Sequence, residues 1–321
     1  MIKPTIAVLD PYHPEALAKL KNNDEVEVLV RPDSSQEIIY ERANAVMLRS
    51  DSRLTTSEFE KYSQLKYAVK QGVGVDNIDL DAAVKAGVEV YNTPGLNSEA
   101  VAELALSLAL CLARRVCEVD RAIRDRRTVI RSQTLGRSLS RKVLGIAGMG
   151  NIGLAFAKKW FAAMEGTIIA YDPNHKGSSW SDIFGSRMRQ VHDLGDLLKE
   201  ADVVSLHVPL TKATTALISR REFAQMKQDA ILLNCARGGV VDEAALLEAL
   251  DSGKLLGAGL DAMEVEPPTQ EVYGSLLSHE NVILTPHIGA STVETQARSG
   301  VAVAELAVNL VLRNGGGNRV V

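Results

Sequence analysis

The sequence predicts an α/β protein built from two doubly wound parallel-sheet domains, and three observations lead there. Short β-branched runs alternate with helical patterns along most of the chain, at the spacing of βα units. That alternation runs once through the first hundred residues and then starts over from a second glycine-bounded strand. Aromatic residues make up only 4% of a chain of 321 residues, so two cores must be built from Ala, Val, Leu and Ile. This bias suits buried parallel strands under helices better than a β-sandwich.

In order, the first set of strands is expected at residues 5–9, 26–30, 45–48, 66–69 and 88–91, with helices at 14–22, 35–42, 55–62 and 80–86. A long helix starts at Ser98. Its apolar run from Ala100 is interrupted by Glu103 and stops at Arg114 and Arg115, too short to span a bilayer, so it reads as a buried helix. The second set of strands is expected at 142–147, 167–171, 203–206, 230–234, 255–260 and 282–284, with helices such as 152–164 and 242–252 between them. The last helical stretch, 293–312, has no strand after it and is expected to return to the first domain. Gly315, Gly316 and Gly317 read as a frayed end.

The formal charge of -4 gives no electrostatic reason to expect a nucleic acid or an anionic membrane as partner. The opening residues alternate like a strand rather than a signal peptide. Cys111, Cys117 and Cys235 are spread too widely for a disulfide framework or a zinc knuckle, so no metal is expected and a reducing, cytoplasmic setting is.

The turn Gly148-Met149-Gly150-Asn151-Ile152-Gly153 matches G-x-G-x-x-G, with a strand feeding it and a helix leaving it. In such a turn Gly148 permits the tight bend, Gly150 lets backbone approach a pyrophosphate, and Gly153 lets helix and strand pack closely. The helix start at Asn151 and Ile152 offers amides to phosphate. Asp172 closes the next strand about 20 positions on, where a carboxylate accepts ribose hydroxyls and repels a 2′-phosphate. No arginine follows at Pro173, which favours NAD over NADP. His207 and Pro209 after one strand, and Cys235 and Ala236 after the next, are expected along the cofactor. A turn with no ligand, or a methyltransferase-type adenosine site, are the alternatives for the glycines alone.

Three further motifs each follow an expected strand: Asn234-Cys235-Ala236-Arg237-Gly238-Gly239, then Gly259-Leu260-Asp261-Ala262-Met263-Glu264-Val265-Glu266-Pro267, then Thr285-Pro286-His287-Ile288-Gly289. Arg237, Glu266 and His287 are thereby expected at the carboxyl edge of one parallel sheet, where open α/β folds bind ligands. Oxidising a 2-hydroxy acid removes a hydride from carbon and a proton from oxygen. Histidine suits the proton step, a carboxylate orients the ring, and an arginine fork binds the substrate carboxylate. Glu264 competes with Glu266 for the carboxylate role.

With these motifs, Gln71-Gly72-Val73-Gly74-Val75-Asp76-Asn77-Ile78-Asp79 and Asn92-Thr93-Pro94, the chain resembles the D-isomer-specific 2-hydroxyacid dehydrogenases over nearly its whole length, closest in pattern to the D-3-phosphoglycerate dehydrogenases. The resemblance implies two Rossmann-like domains, with the NAD domain (99–290) inserted into a substrate-binding domain (1–98 and 291–321), and a homodimer formed through the NAD domains. It makes His287 the acid/base, Glu266 its partner and Arg237 the substrate anchor. It places Asp261 at the nicotinamide amide, and the amides of Val73 and Gly74 at the substrate carboxylate.

A phosphorylated substrate needs cations, for which Arg49, Lys70 and Arg131 are the candidates. Arg131 ends a segment from Arg114 rich in arginine, otherwise expected to be a solvated face with internal ion pairs. Lys70 stands where many phosphoglycerate dehydrogenases have arginine, and Met263 replaces the usual aromatic of its motif. The short stretch after His287 leaves no room for the serine-sensing domain of longer relatives. A 3-phosphoglycerate-like substrate is favoured; hydroxypyruvate, glyoxylate or another 2-oxo acid, or an NAD(H)-sensing co-repressor-type binding protein, are the alternatives.

Overall fold

The computed structural model describes residues 3–175 and 179–321, and the chain divides into two compact units. One is Met1–Asn97 with Ser291–Val321; the other is Ser98–Ala290.

The first unit opens with β1 (Thr5–Val8), α1 (Pro14–Lys21), β2 (Glu27–Val30), α2 (Gln36–Arg42), β3 (Ala45–Leu48), α3 (Thr56–Phe59), β4 (Tyr67–Lys70), α4 (Leu80–Lys85) and β5 (Glu89–Asn92). Side-chain caps start the helices: Ser35 accepts from the Ile38 amide and Asp79 from the Ala82 amide, satisfying donors that a helix start leaves orphaned. The strands are parallel, in spatial order β5-β4-β3-β1-β2. Both β1 and β3 are fully buried, as their unbroken apolar runs require.

The second unit begins with α5 (Ser98–Ala113), which buries its Ala and Leu face, and α6 (Val116–Arg124). Then follow β6 (Val143–Ala147), α7 (Asn151–Met164), β7 (Thr167–Tyr171), α8 (Ser179–Phe184), β8 (Met188–Val191), α9 (Leu194–Glu200), β9 (Val203–Leu206), α10 (Arg220–Gln225), β10 (Ala230–Asn234), α11 (Glu243–Asp251), β11 (Leu255–Leu260), α12 (Gln270–Leu277) and β12 (Val282–Leu284). The sheet runs β12-β11-β10-β9-β6-β7-β8, parallel throughout. Strand order reverses between β6 and β9, which opens a crevice at their carboxyl ends. One strand here, β8, was not expected from the sequence. Its Arg189 and Gln190 are tolerated because it lies at the sheet edge, so it lacks the apolar run of a central strand.

The chain then returns to the first unit as α13 (Val293–Val311), which packs so closely on α1 that a Cβ at Gly300 would come within 3.0 Å of the Ala16 Cβ. The glycines expected to fray form a turn. Gly315, Gly316 and Gly317 take positive φ of 69°, 103° and 89° and turn the chain into β13 (Asn318–Arg319), antiparallel to β5. Among the described residues no helix is long and apolar enough to cross a membrane.

Candidate active site

Arg237, Glu266 and His287 follow β10, β11 and β12, three neighbouring strands of the second unit. His287 Nδ1 lies 2.9 Å from Glu266 Oε2, and the carboxylate's other oxygen accepts the Met263 amide at 3.0 Å. Partial burial pushes the Glu266 carboxyl up. The His287 hydrogen bond, the Met263 N–H and the charges of His287 and Arg237 outweigh it, so Glu266 is held below the usual carboxylate range. The His287 side chain stays 41% exposed, open to a reactant. Arg237 is anchored through its own backbone. Asn234 donates to the Arg237 and Ala262 carbonyls and accepts the Ala236 amide, locking the β10 loop to the β11 loop. The Arg237 Nη1 donates to the Ala236 carbonyl at 2.7 Å.

Asp261 has a role the sequence did not show. It is buried, and its Oδ1 accepts the Thr285 hydroxyl at 2.6 Å and the Ile288 amide at 2.8 Å, while Oδ2 accepts the Gly289 amide at 2.8 Å. The aspartate read as a nicotinamide contact therefore also braces the His287 loop. Thr285 was missed as well, although it stands beside Pro286 and His287 in the same motif.

At the glycine turn, Gly148 has φ 89°, and a Cβ there would come within 2.5 Å of the His207 carbonyl oxygen. A Cβ at Gly153 would overlap the Gly148 carbonyl oxygen, whereas one at Gly150 would meet nothing within 4 Å. The last is the cradle a pyrophosphate needs: open space over backbone. Gly150 caps α7 without a side-chain bond, so the amides of Asn151 and Ile152 open the helix with no side-chain cap on them. Asp172 follows β7 and accepts the Met149 amide at 2.9 Å and the Asn174 amide at 3.0 Å, which ties the carboxylate to the turn. His207 places Nε2 2.9 Å from Ser205 Oγ, and its buried Nδ1 has no protein partner. Pro209 is exposed; Ala236 is buried, as is Cys235, whose thiol burial pushes far up, making it inert rather than nucleophilic. These residues fit a dinucleotide. Among the described residues no group of three or more His, Cys, Asp and Glu could hold a metal ion.

The remaining candidates are placed as follows. Within the first unit, Arg49 is half-buried and its Nη1 donates to the Pro11 carbonyl at 2.9 Å. Lys70 is 4% exposed, with Nζ donating to the Gln71 carbonyl at 3.1 Å. Val73 and Gly74 lie on a loop opened by Gly72 at φ 97°. The Gly72 amide donates to Thr93 Oγ1, and the Val73 carbonyl accepts from Asn92 Nδ2. In the second unit Arg131 starts an exposed 3₁₀ turn. Of the arginines before it, Arg124 pairs with Asp120 and Arg127 with Glu280 on the solvated face expected, whereas Arg115 pairs with a buried Glu118.

An NAD-binding doubly wound unit carrying a histidine–carboxylate pair beside an arginine defines an oxidoreductase of small acids, and comparison with known proteins agrees. Residues 106–289 match the family model described as D-isomer specific 2-hydroxyacid dehydrogenase, NAD binding domain. The chain is 40% identical over 309 residues to the hydroxypyruvate reductase of Thermotoga maritima, covering 95% of this chain and 97% of that protein. It is 41% identical over 303 residues to the D-3-phosphoglycerate dehydrogenase of Methanocaldococcus jannaschii, covering 94% of this chain and 56% of that one. The chain thus spans about half the length of that phosphoglycerate dehydrogenase. Among solved structures, the D-lactate dehydrogenase of Aquifex aeolicus complexed with NAD and lactic acid superposes with a TM-score of 0.82 at 30% identity, over 98% of each chain. The chain belongs to the D-isomer-specific 2-hydroxyacid dehydrogenase family, and its cofactor is NAD.

Proposed function

We propose that the chain interconverts a small D-2-hydroxy acid and its 2-oxo acid, with His287 as acid/base, Glu266 as its partner and Arg237 as the carboxylate anchor. The observation that carries this reading is the 2.9 Å contact between His287 Nδ1 and Glu266 Oε2, with the Arg237 charge felt at that carboxylate. With Nδ1 committed to Glu266, Nε2 is the nitrogen that exchanges a proton with the substrate oxygen. During reduction it protonates the forming alkoxide; during oxidation it takes the hydroxyl proton, and the ionised Glu266 stabilises the imidazolium. Arg237 binds the substrate carboxylate and polarises the carbonyl. The bound nicotinamide supplies or accepts the hydride. The glycine-turn amides, Asp172 and His207 would hold the dinucleotide.

For the acid itself we propose hydroxypyruvate. Lys70, one of three candidate cations for a phosphate, is buried with its ammonium on the Gln71 carbonyl, and this supports a substrate with an uncharged side chain. The test is NADH consumption with hydroxypyruvate and glyoxylate, and NAD reduction with 3-phosphoglycerate, followed at the nicotinamide absorbance. Preference for 3-phosphoglycerate, lost on Arg131→Ala, would reverse the assignment. Tight NADH binding with no turnover of any acid would instead favour a sensing protein. His287→Ala is expected to lose most turnover and keep NADH affinity.

The apolar side chains of Val116, Ile123, Ile130 and Leu135, on α6 and the segment after it, are 52%, 61%, 49% and 74% exposed. They support a homodimer through the NAD unit, which light scattering checks: a monomer at micromolar concentration would exclude it.

A further inference from the structure

The loop that carries Glu266 leaves β11 and runs to α12 with three successive amides that bond to side chains. The Met263 N–H donates to Glu266 Oε1 at 3.0 Å, the Glu264 N–H to Glu243 Oε1 at 2.8 Å, and the Val265 N–H to the Tyr273 hydroxyl at 2.9 Å. Glu243 is the first residue of α11, and Tyr273 is buried on α12. Two helices thus each hold one amide of the loop: α11 takes the Glu264 N–H through Glu243, and α12 takes the Val265 N–H through the Tyr273 hydroxyl. Gly238 shuts the other side, since a Cβ there would overlap the Met263 carbonyl oxygen.

We infer that Glu243 and Tyr273 are positioning residues for the reaction: they clamp the Met263–Val265 backbone and so fix the angle at which Glu266 meets His287. This rests on the acid/base reading of Glu266 and His287 given above. Two features favour orientation over mere stability. The clamped amides immediately precede Glu266 in sequence. The Met263 amide is shared with Glu266 itself, so a shift of the loop moves the carboxylate directly. Misplacing a catalytic group by about 1 Å can cost about a hundredfold in rate.

The experiment is steady-state turnover of NADH with hydroxypyruvate (or whichever tested acid is turned over), with NADH binding and thermal melting measured alongside. Glu243→Ala and Tyr273→Phe are each expected to lower kcat by about tenfold or more while NADH affinity stays within about twofold. Glu243→Gln, which keeps an acceptor for the Glu264 amide, should recover most of the Ala loss. In a Glu266→Gln background, Glu243→Ala should add less than about twofold, because the residue acts through Glu266. A Glu243→Ala loss that multiplies fully in that background, or unchanged kcat in both single variants, would overturn the clamp. If Glu243→Ala fails to fold, Tyr273→Phe, which keeps the buried ring, decides the matter, together with its own cycle against Glu266→Gln. If Glu266→Gln and His287→Ala themselves keep near-normal turnover, it is the acid/base reading that fails, and the two failures are thereby told apart.

Discussion

Replacing His207 by glutamine is expected to make the fold less sensitive to acid. The ring follows β9, with Nε2 on Ser205 and its centroid 5.9 Å from that of the Phe156 ring. Nδ1 is buried without a protein partner, so an added proton would find no acceptor. Burial accordingly pulls the imidazole down from 6.5 to about 3. In the unfolded chain the same ring takes up its proton near pH 6.5. Above that pH the group contributes nothing to the pH dependence. As pH falls below it, the unfolded state gains a proton that the native state refuses, and stability declines until about pH 3, where the effect levels off. A difference of about 3.5 units sets a ceiling of roughly 4–5 kcal/mol, of which about 2 kcal/mol accrues between pH 7 and pH 5. Glutamine can still bond Ser205 and has no proton to take up. Urea unfolding without NADH, at pH 7 and pH 5, measures the difference. The parent should lose about 2 kcal/mol more than His207→Gln across that interval. An equal loss in both proteins would refute the reasoning, because His207 would then be protonated in the native state or equally shielded in the unfolded one.

Gly153→Val puts a side chain onto the Gly148 carbonyl oxygen, so the turn must open; NADH affinity is expected to fall more than tenfold (roughly 1.4 kcal/mol or more) in a fluorescence titration. Asp172→Ala removes the acceptor of the Met149 and Asn174 amides and the charge that repels a 2′-phosphate. NADH binding should weaken and the ratio of NADPH to NADH affinity should rise, and an unchanged ratio would remove Asp172 from cofactor selection. Asp261→Asn turns at least one acceptor among the Thr285, Ile288 and Gly289 bonds into a donor, at a cost of about 1–3 kcal/mol. Melting should register that loss, and kcat should fall further than the loss of NADH affinity, since the His287 loop is what Asp261 holds.

Much of this was legible from local pattern. The central strands β7, β10 and β11 fall where apolar runs end in a polar residue or motif, because a central parallel strand must be apolar on both faces. Edge elements need not carry that mark. The Met-Arg-Gln-Val of β8 reads as loop, and the two residues of β13 become a strand only by pairing with β5. The site divides the same way. Arg237, Glu266 and His287 could be found because each follows its strand within a short motif. Tyr273 could not, since nothing near it in sequence marks a helix residue that reaches back eight positions to the Val265 amide. Lys70 reads as an available cation at a strand end; its burial is decided by neighbours from elsewhere in the chain.

His287 shows why the braces and the chemistry belong to one design. Its φ of 54° lies in the left-handed region, which costs a residue with a Cβ about 1–2 kcal/mol. A loop free to relax would leave that conformation and swing the imidazole off Glu266. It is held there from both sides: the His287 amide donates to the Thr285 carbonyl, and Asp261 takes the Thr285 hydroxyl and the two amides that follow His287. Four hydrogen bonds of about 1 kcal/mol each exceed the strain, so the backbone stays where the ring must point. The strands bring the three side chains to one edge, but strand ends alone leave loops free to turn. Orientation comes from Asp261 on the histidine side and from Glu243 with Tyr273 on the glutamate side. The proposed reactive pair is therefore set by backbone held on the Asp261 and Glu243 carboxylates rather than by the pair's own attraction.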